Sequence, residues 1–97
     1  MTRISFEWDK SKDRANQKKH GVTFEEAQTV FFDELGLFME DPDHSDDEER
    51  FLLLGMSSAL RVILVCHCFR KEDEIIRIIS ARKANKYERE QYLKRQS

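Results

Sequence analysis

A chain of 97 residues with 39% hydrophobic content and seven Phe, one Trp and two Tyr holds enough apolar material for one packed core. Split in two, each half would be too small to stand without disulfides or metal, so the expectation is a single domain over residues 1–97. Charged residues at 37% imply a heavily solvated exterior. No apolar run approaches the roughly 20 residues that span a bilayer. The opening MTRISFEWDK lacks the apolar stretch of a secretion signal, so the reading is a soluble, cytoplasmic protein with no membrane association.

The net charge of −2 conceals a division. Residues 36–50 carry seven acids against Arg50 alone, whereas residues 77–97 carry seven bases against Glu88 and Glu90. Recognition depends on potential within a Debye length, ~10 Å, so the C-terminal segment is a candidate anion-binding surface whatever the total charge. A solvated helix face is the plainer account of the same pattern.

In chain order, ISFEW (4–8) alternates like a half-buried edge strand. Asp9 is placed to cap a polar helix that runs to His20, where Gly21 stops it in a left-handed conformation. With Ala15 nearly its sole apolar residue, that helix belongs on the surface, against Trp8. Thr23 is the next N-cap, with Glu26 completing a capping box, and Phe24, Ala27, Val30 and Phe31 form an apolar stripe that ends near Phe32. GLFMED (36–41), then after the acidic loop Asp41–Glu49 FLLLGMS (51–57), LRVILVCHCF (60–69) and EIIRIIS (74–80), read as four strands, with short hairpin connections at Ser57–Ala59 and Arg70–Asp73. A last helix from about Lys83 to Lys94 sets Ala84, Glu88 and Tyr92 on one face. The expected fold is therefore α+β, a largely antiparallel twisted sheet in the order β-α-α-β-β-β-β-α.

Cys66 and Cys68 point the same way along one strand, a poor geometry for a disulfide. They read as small core hydrophobes in a reducing compartment. His67 would face the other side, which leaves no tetrahedral ligand set, so neither a metal nor a cofactor is expected.

Arg77 interrupts the run Ile75, Ile76, Ile78, Ile79, where an unpaired guanidinium would be costly. It must open onto a solvent-filled concavity or meet a carboxylate. A three-residue loop at Lys71–Asp73 would set His67 opposite Arg77, and a two-residue loop would set it opposite Ile76. The loop DPDHSDDEERF (41–51) gathers His44, Glu49 and Arg50. An acid, an imidazole and an arginine are the groups that cleave RNA without metal: a base for the 2′-hydroxyl proton, a cation for the phosphorane and an acid for the leaving oxygen. Glu49 and Arg50 are equally well read as an ion pair anchoring the loop. His20, after Lys18 and Lys19, is equally well read as a cation at the negative end of its helix. No nucleophile elbow, glycine-rich phosphate loop or zinc spacing is present.

Taken together, FEWD (6–9), Asn16, KHGVTFEEA (19–27), EDPDHSDDEERF (40–51), and RIISARKA (77–84) followed by Glu88, Arg89 and Tyr92 resemble the BrnT family of toxins from bacterial type II toxin–antitoxin pairs. The resemblance implies a fold like the RelE ribonuclease toxins and ribonuclease activity that halts translation. It also implies a BrnA-type antitoxin with a ribbon-helix-helix domain, whose dimer holds two toxins in a heterotetramer and through which alone the toxin meets DNA. On this resemblance Arg77 and Arg82, with Lys83, Lys86 and Arg89, line an RNA-phosphate surface. His67, Glu49, Arg50 and His20 are the candidates for proton transfer or positioning. The whole reading requires the guanidinium groups of the last strand and the segment after it to converge on one hollow. The alternative is a non-catalytic module that binds a ribbon-helix-helix repressor and tunes transcription.

Overall fold

The computed structural model describes residues 4–43 and 48–96. His44 lies outside the described residues. Strand β1 (Ser5–Glu7) leads into helix α1 (Lys10–His20), then α2 (Phe24–Thr29), which tightens into a 3-10 turn at Val30–Phe32. Strands β2 (Leu37–Glu40), β3 (Phe51–Met56), β4 (Val62–Arg70) and β5 (Ile75–Lys83) follow, and helix α3 (Lys86–Lys94) comes last. The five strands form one sheet in the order β1-β5-β4-β3-β2, antiparallel except for the parallel β1–β5 pair. The expected element order and α+β class are those observed.

Local chemistry sets the helix ends. Asp9 accepts from the Ser11 and Lys12 backbone N–H groups at 2.8 and 3.1 Å, and Gly21 ends α1 at φ 69°. Thr23 caps α2 through the Glu26 N–H at 2.9 Å, but the expected capping box is not completed. The Glu26 carboxylate instead accepts from Arg61 Nε at 3.0 Å and Ser57 Oγ at 2.6 Å, because a guanidinium is the stronger partner.

The last helix also departs from expectation. β5 continues through Lys83, and α3 starts only after Asn85, which caps it in a reciprocal capping box with Glu88. Arg82 and Lys83 are therefore strand residues with opposed side chains. The turn between β4 and β5 is four residues long, with Lys71, Glu72 and Asp73 all at positive φ. The extra length sets His67 opposite Ile78 and Cys68 opposite Arg77, so neither expected register holds.

The sheet carries cores on both faces. One, under α1 and α2, centres on Val22, Phe24, Val30, Leu53, Ile63, Val65 and Ile78. The opposite face packs Leu54 and Leu64 against Ala84 and Tyr92 at α3. Gly55 permits the close approach of the 3-10 turn to β3, since a Cβ there would lie 2.8 Å from Val30 Cγ1. β1 pairs only with Ile75–Arg77, so the rest of β5 has no strand beside it there. The buried side chain of Asn16 fills that place: it donates to Ala81 O and Val22 O at 2.8 Å each and accepts from Ala81 N at 3.1 Å. This amide, rather than apolar burial, holds the polar α1 on the sheet.

Candidate functional site

α3 covers only part of its sheet face, and the remainder is polar. A groove of about 420 Å³ there is lined by His20, Asp41, Asp43 and Arg50, by Cys66 and Leu64 of β4, and by Ser80 and Arg82 of β5. His20 lies one turn beyond Asn16 on α1, at the unpaired edge of β5. Arg50 arrives from the residue before β3, and its buried Nε has no hydrogen-bond partner among the described residues. Three cationic or protonatable groups from three separate segments thus meet at one opening.

Arg82 is held in place by a two-pronged pair with Glu88, Nη1 to Oε1 at 2.8 Å and Nη2 to Oε2 at 2.9 Å. The same carboxylate accepts from the Asn85 N–H at 2.9 Å, so the capping box of α3 also aims the guanidinium. Hydrogen bonding from Arg82 lowers the Glu88 pKa, which keeps the pair ionised. The groove is of mixed sign: Asp41 and Asp43 line it together with Arg50 and Arg82. Asp41 also accepts from Cys66 Sγ at 3.6 Å, and burial followed by that carboxylate pushes the thiol up to about 11. Cys66 is therefore a wall of the groove and not a nucleophile.

The remaining residues expected at a site lie elsewhere. Arg77 shares the sheet face of Arg82 but does not line the groove; it pairs with Glu7 at 2.7 Å, and Arg70 approaches the same carboxylate at 3.6 Å. His67 is fully buried on the opposite face, its ring centroid 4.8 Å from Phe31, 5.4 Å from Phe69, 5.9 Å from Phe38 and 6.2 Å from Phe51. Burial lowers its pKa to about 4, and its Nε2 has no hydrogen-bond partner among the described residues. It is a core histidine. Glu49 and Arg50 line a small shared hollow with Glu40 and Phe51, but only Arg50 also lines the groove; Glu49 instead borders a larger hollow with Phe38, Phe51 and Phe69. Lys83 sits on the helical face, where its charge contributes to lowering the Glu26 pKa after the larger effect of Arg61. Lys86 and Arg89 are exposed outside the groove, with Arg89 Nη1 turned back to Ala84 O at 2.7 Å.

The expected convergence of guanidinium groups from the last strand and the segment after it is not observed: of these only Arg82 lines the groove, where it meets Arg50 and His20 from earlier segments, while Arg77 pairs with Glu7 and Arg89 turns back to Ala84. Sequence reasoning overlooked Ser80, Asp41, Asp43 and the positioning role of Glu88. Of these, Glu88 was legible, because Asn85 followed three residues later by Glu is a helix-start signal.

Fold and groove define a small α+β protein in which His20, Arg50 and Arg82 meet on the uncovered part of one sheet face. A family model described as ribonuclease toxin, BrnT, of type II toxin-antitoxin system matches residues 8–88, and the chain belongs to this family. Such membership implies an antitoxin partner. The crystal structure of the Brucella abortus ribonuclease toxin, BrnT, is similar, with a TM-score of 0.60 at 24% identity over 89% of this chain and 100% of that one. At that identity the likeness establishes the fold alone. No curated protein matches the chain.

Proposed function

We propose that this chain is a metal-independent RNA endonuclease that inhibits translation, and that a BrnA-type antitoxin with a ribbon-helix-helix domain neutralises it. The observation that carries the reading is the meeting of His20, Arg50 and Arg82 at one open groove. In the proposed reaction a base removes the 2′-hydroxyl proton and the oxygen attacks the adjacent phosphorus. The 5′-oxygen then leaves with a proton, giving a 2′,3′-cyclic phosphate. Arg82, oriented by Glu88, and Arg50 stabilise the charge on the phosphorane oxygens. His20 transfers protons, with Asp41 or Asp43 as the complementary carboxylate. Arg82 shares its charge with Glu88 and two aspartates line the same groove, so affinity comes from positioning more than from net field, and binding to RNA is correspondingly modest.

Incubating the purified chain with total RNA in EDTA tests this reading. Fragments with cyclic phosphate ends are expected, together with growth arrest on induction that Arg82→Ala abolishes. Intact RNA at high concentrations of folded protein, with no arrest, is the behaviour of the non-catalytic repressor-binding module and would replace this reading by that one.

A further inference from the structure

On the helical side of the sheet, away from the groove, lies a hollow of about 630 Å³ walled by Phe38, Phe51 and Phe69 and rimmed by Glu48, Glu49 and Asp73. The three rings form a continuous floor, with centroids 5.2, 5.3 and 6.4 Å apart. Phe38 is 55% exposed, a large apolar area to leave in water. The rim carries no cation of its own: among the described residues, no ion pair involves Glu48, Glu49 or Asp73, although Glu48 accepts a hydrogen bond from the Cys68 thiol, whereas Glu7, Glu26 and Glu88 are each held by an arginine. Phe38 also belongs to β2, which has β3 on one side and no strand on the other. An edge of that kind offers free backbone donors and acceptors to an extended chain.

We infer that this hollow is where the antitoxin anchors, through an extended segment beside β2 that lays an Arg or Lys side chain over the phenylalanine rings. The aliphatic stem of such a residue covers apolar ring surface, and its charge meets both the ring faces and rim carboxylates that no arginine or lysine holds. Exposed rings can also stack nucleobases, but a phosphodiester chain here would run against three like charges, so the rim favours a cationic peptide over RNA. The inference rests on the reading that the chain is held by an antitoxin. It assigns that partner to the face opposite the groove, so that anchoring leaves Arg82, Arg50 and His20 uncontacted by this segment.

The test is calorimetric titration of the full chain with the antitoxin encoded beside its gene, at low and high salt. Phe38→Ala and the double variant Glu49→Gln with Asp73→Asn are each expected to weaken binding roughly ten-fold or more, with the wild-type affinity falling as salt rises. Both variants change exposed side chains, and circular dichroism verifies the fold. Wild-type affinity in both folded variants overturns the anchoring site while leaving the toxin reading intact. Absence of binding by the wild-type chain removes the antitoxin reading and this inference together. Loss of RNA cleavage in Phe38→Ala with unchanged antitoxin affinity assigns the rings to RNA, and loss of self-association in sedimentation assigns them to a second copy; either result also overturns it.

Discussion

Arg77 and Arg82 stand five residues apart in one strand yet share a face of the sheet. Strict alternation would oppose them. Between the pairs Cys66–Ser80 and His67–Ile78 the ladder carries one extra residue, Ile79, and this bulge restores the phase, so that Arg77 lies opposite Cys68 and Arg82 opposite Leu64. The two arginines nevertheless have different partners, which separates their expected roles.

Arg82→Ala removes the guanidinium that lines the groove, and the expected outcome is a loss of RNA cleavage of roughly 10- to 100-fold, the equivalent of one charge-assisted phosphate contact of about 1–3 kcal/mol. Arg77→Ala breaks the pair with Glu7 and is expected to have the smaller effect on cleavage, with a stability change of about 0.5–1 kcal/mol. Cleavage assays in EDTA with urea titrations of both variants check this. Equal losses of activity would place Arg77 in contact with substrate.

His67 gives a pH dependence of known sign. Its folded pKa of about 4 lies below the unfolded value near 6.5, so between these two the unfolded chain binds the extra proton. The contribution is fully present above pH 6.5 and is lost as pH falls toward 4, amounting to about 3 kcal/mol at most. His67→Phe is expected to flatten the stability profile over that window and to retain cleavage. The slope left in the variant reports carboxylates such as Glu26 and Glu88, held down by hydrogen bonds from Arg61 and Arg82. Urea midpoints from pH 4 to 7 for both proteins measure the difference.

Asn16→Ala leaves the Ala81 N–H and the Val22 and Ala81 carbonyls without their buried partner. A loss of about 3 kcal/mol is expected, lowering the melting temperature by roughly 10 °C or more. Because α1 also carries His20 to the groove, activity in the folded fraction should fall as well. A scan of melting temperature against cleavage rate checks both.

Both thiols are pushed up to about 11, chiefly by burial. Their thiolate fraction at neutral pH is thereby about a hundred-fold below that of an ordinary cysteine, so alkylation by iodoacetamide should be slow in the native protein and rapid in urea. Treated native protein is expected to retain cleavage.

Much of the fold was legible before any coordinates. The caps at Asp9 and Thr23, the stop at Gly21 and four apolar runs are local signals, because a cap or a period-2 pattern depends on residues a few positions apart. The site was less legible. Glu49 and Arg50 are neighbours in the chain, yet only Arg50 reaches the groove, whereas His20, Arg50 and Arg82 are distant in the chain and meet there. His67 had suitable chemistry at a position that the sheet buries behind four phenylalanines. The register of β4 on β5 followed from a four-residue turn, longer than either the two- or the three-residue expectation.

By itself the sequence determined the α+β class, the order of elements, the acidic and basic halves and the blocks that place the chain in its family, since each is written in short-range pattern or in the identity of residues. Only the tertiary structure decided which charges stay available. Whether an arginine meets a carboxylate or opens onto a groove depends on a one-residue bulge and a strand register, and these are settled by packing between segments far apart in the chain.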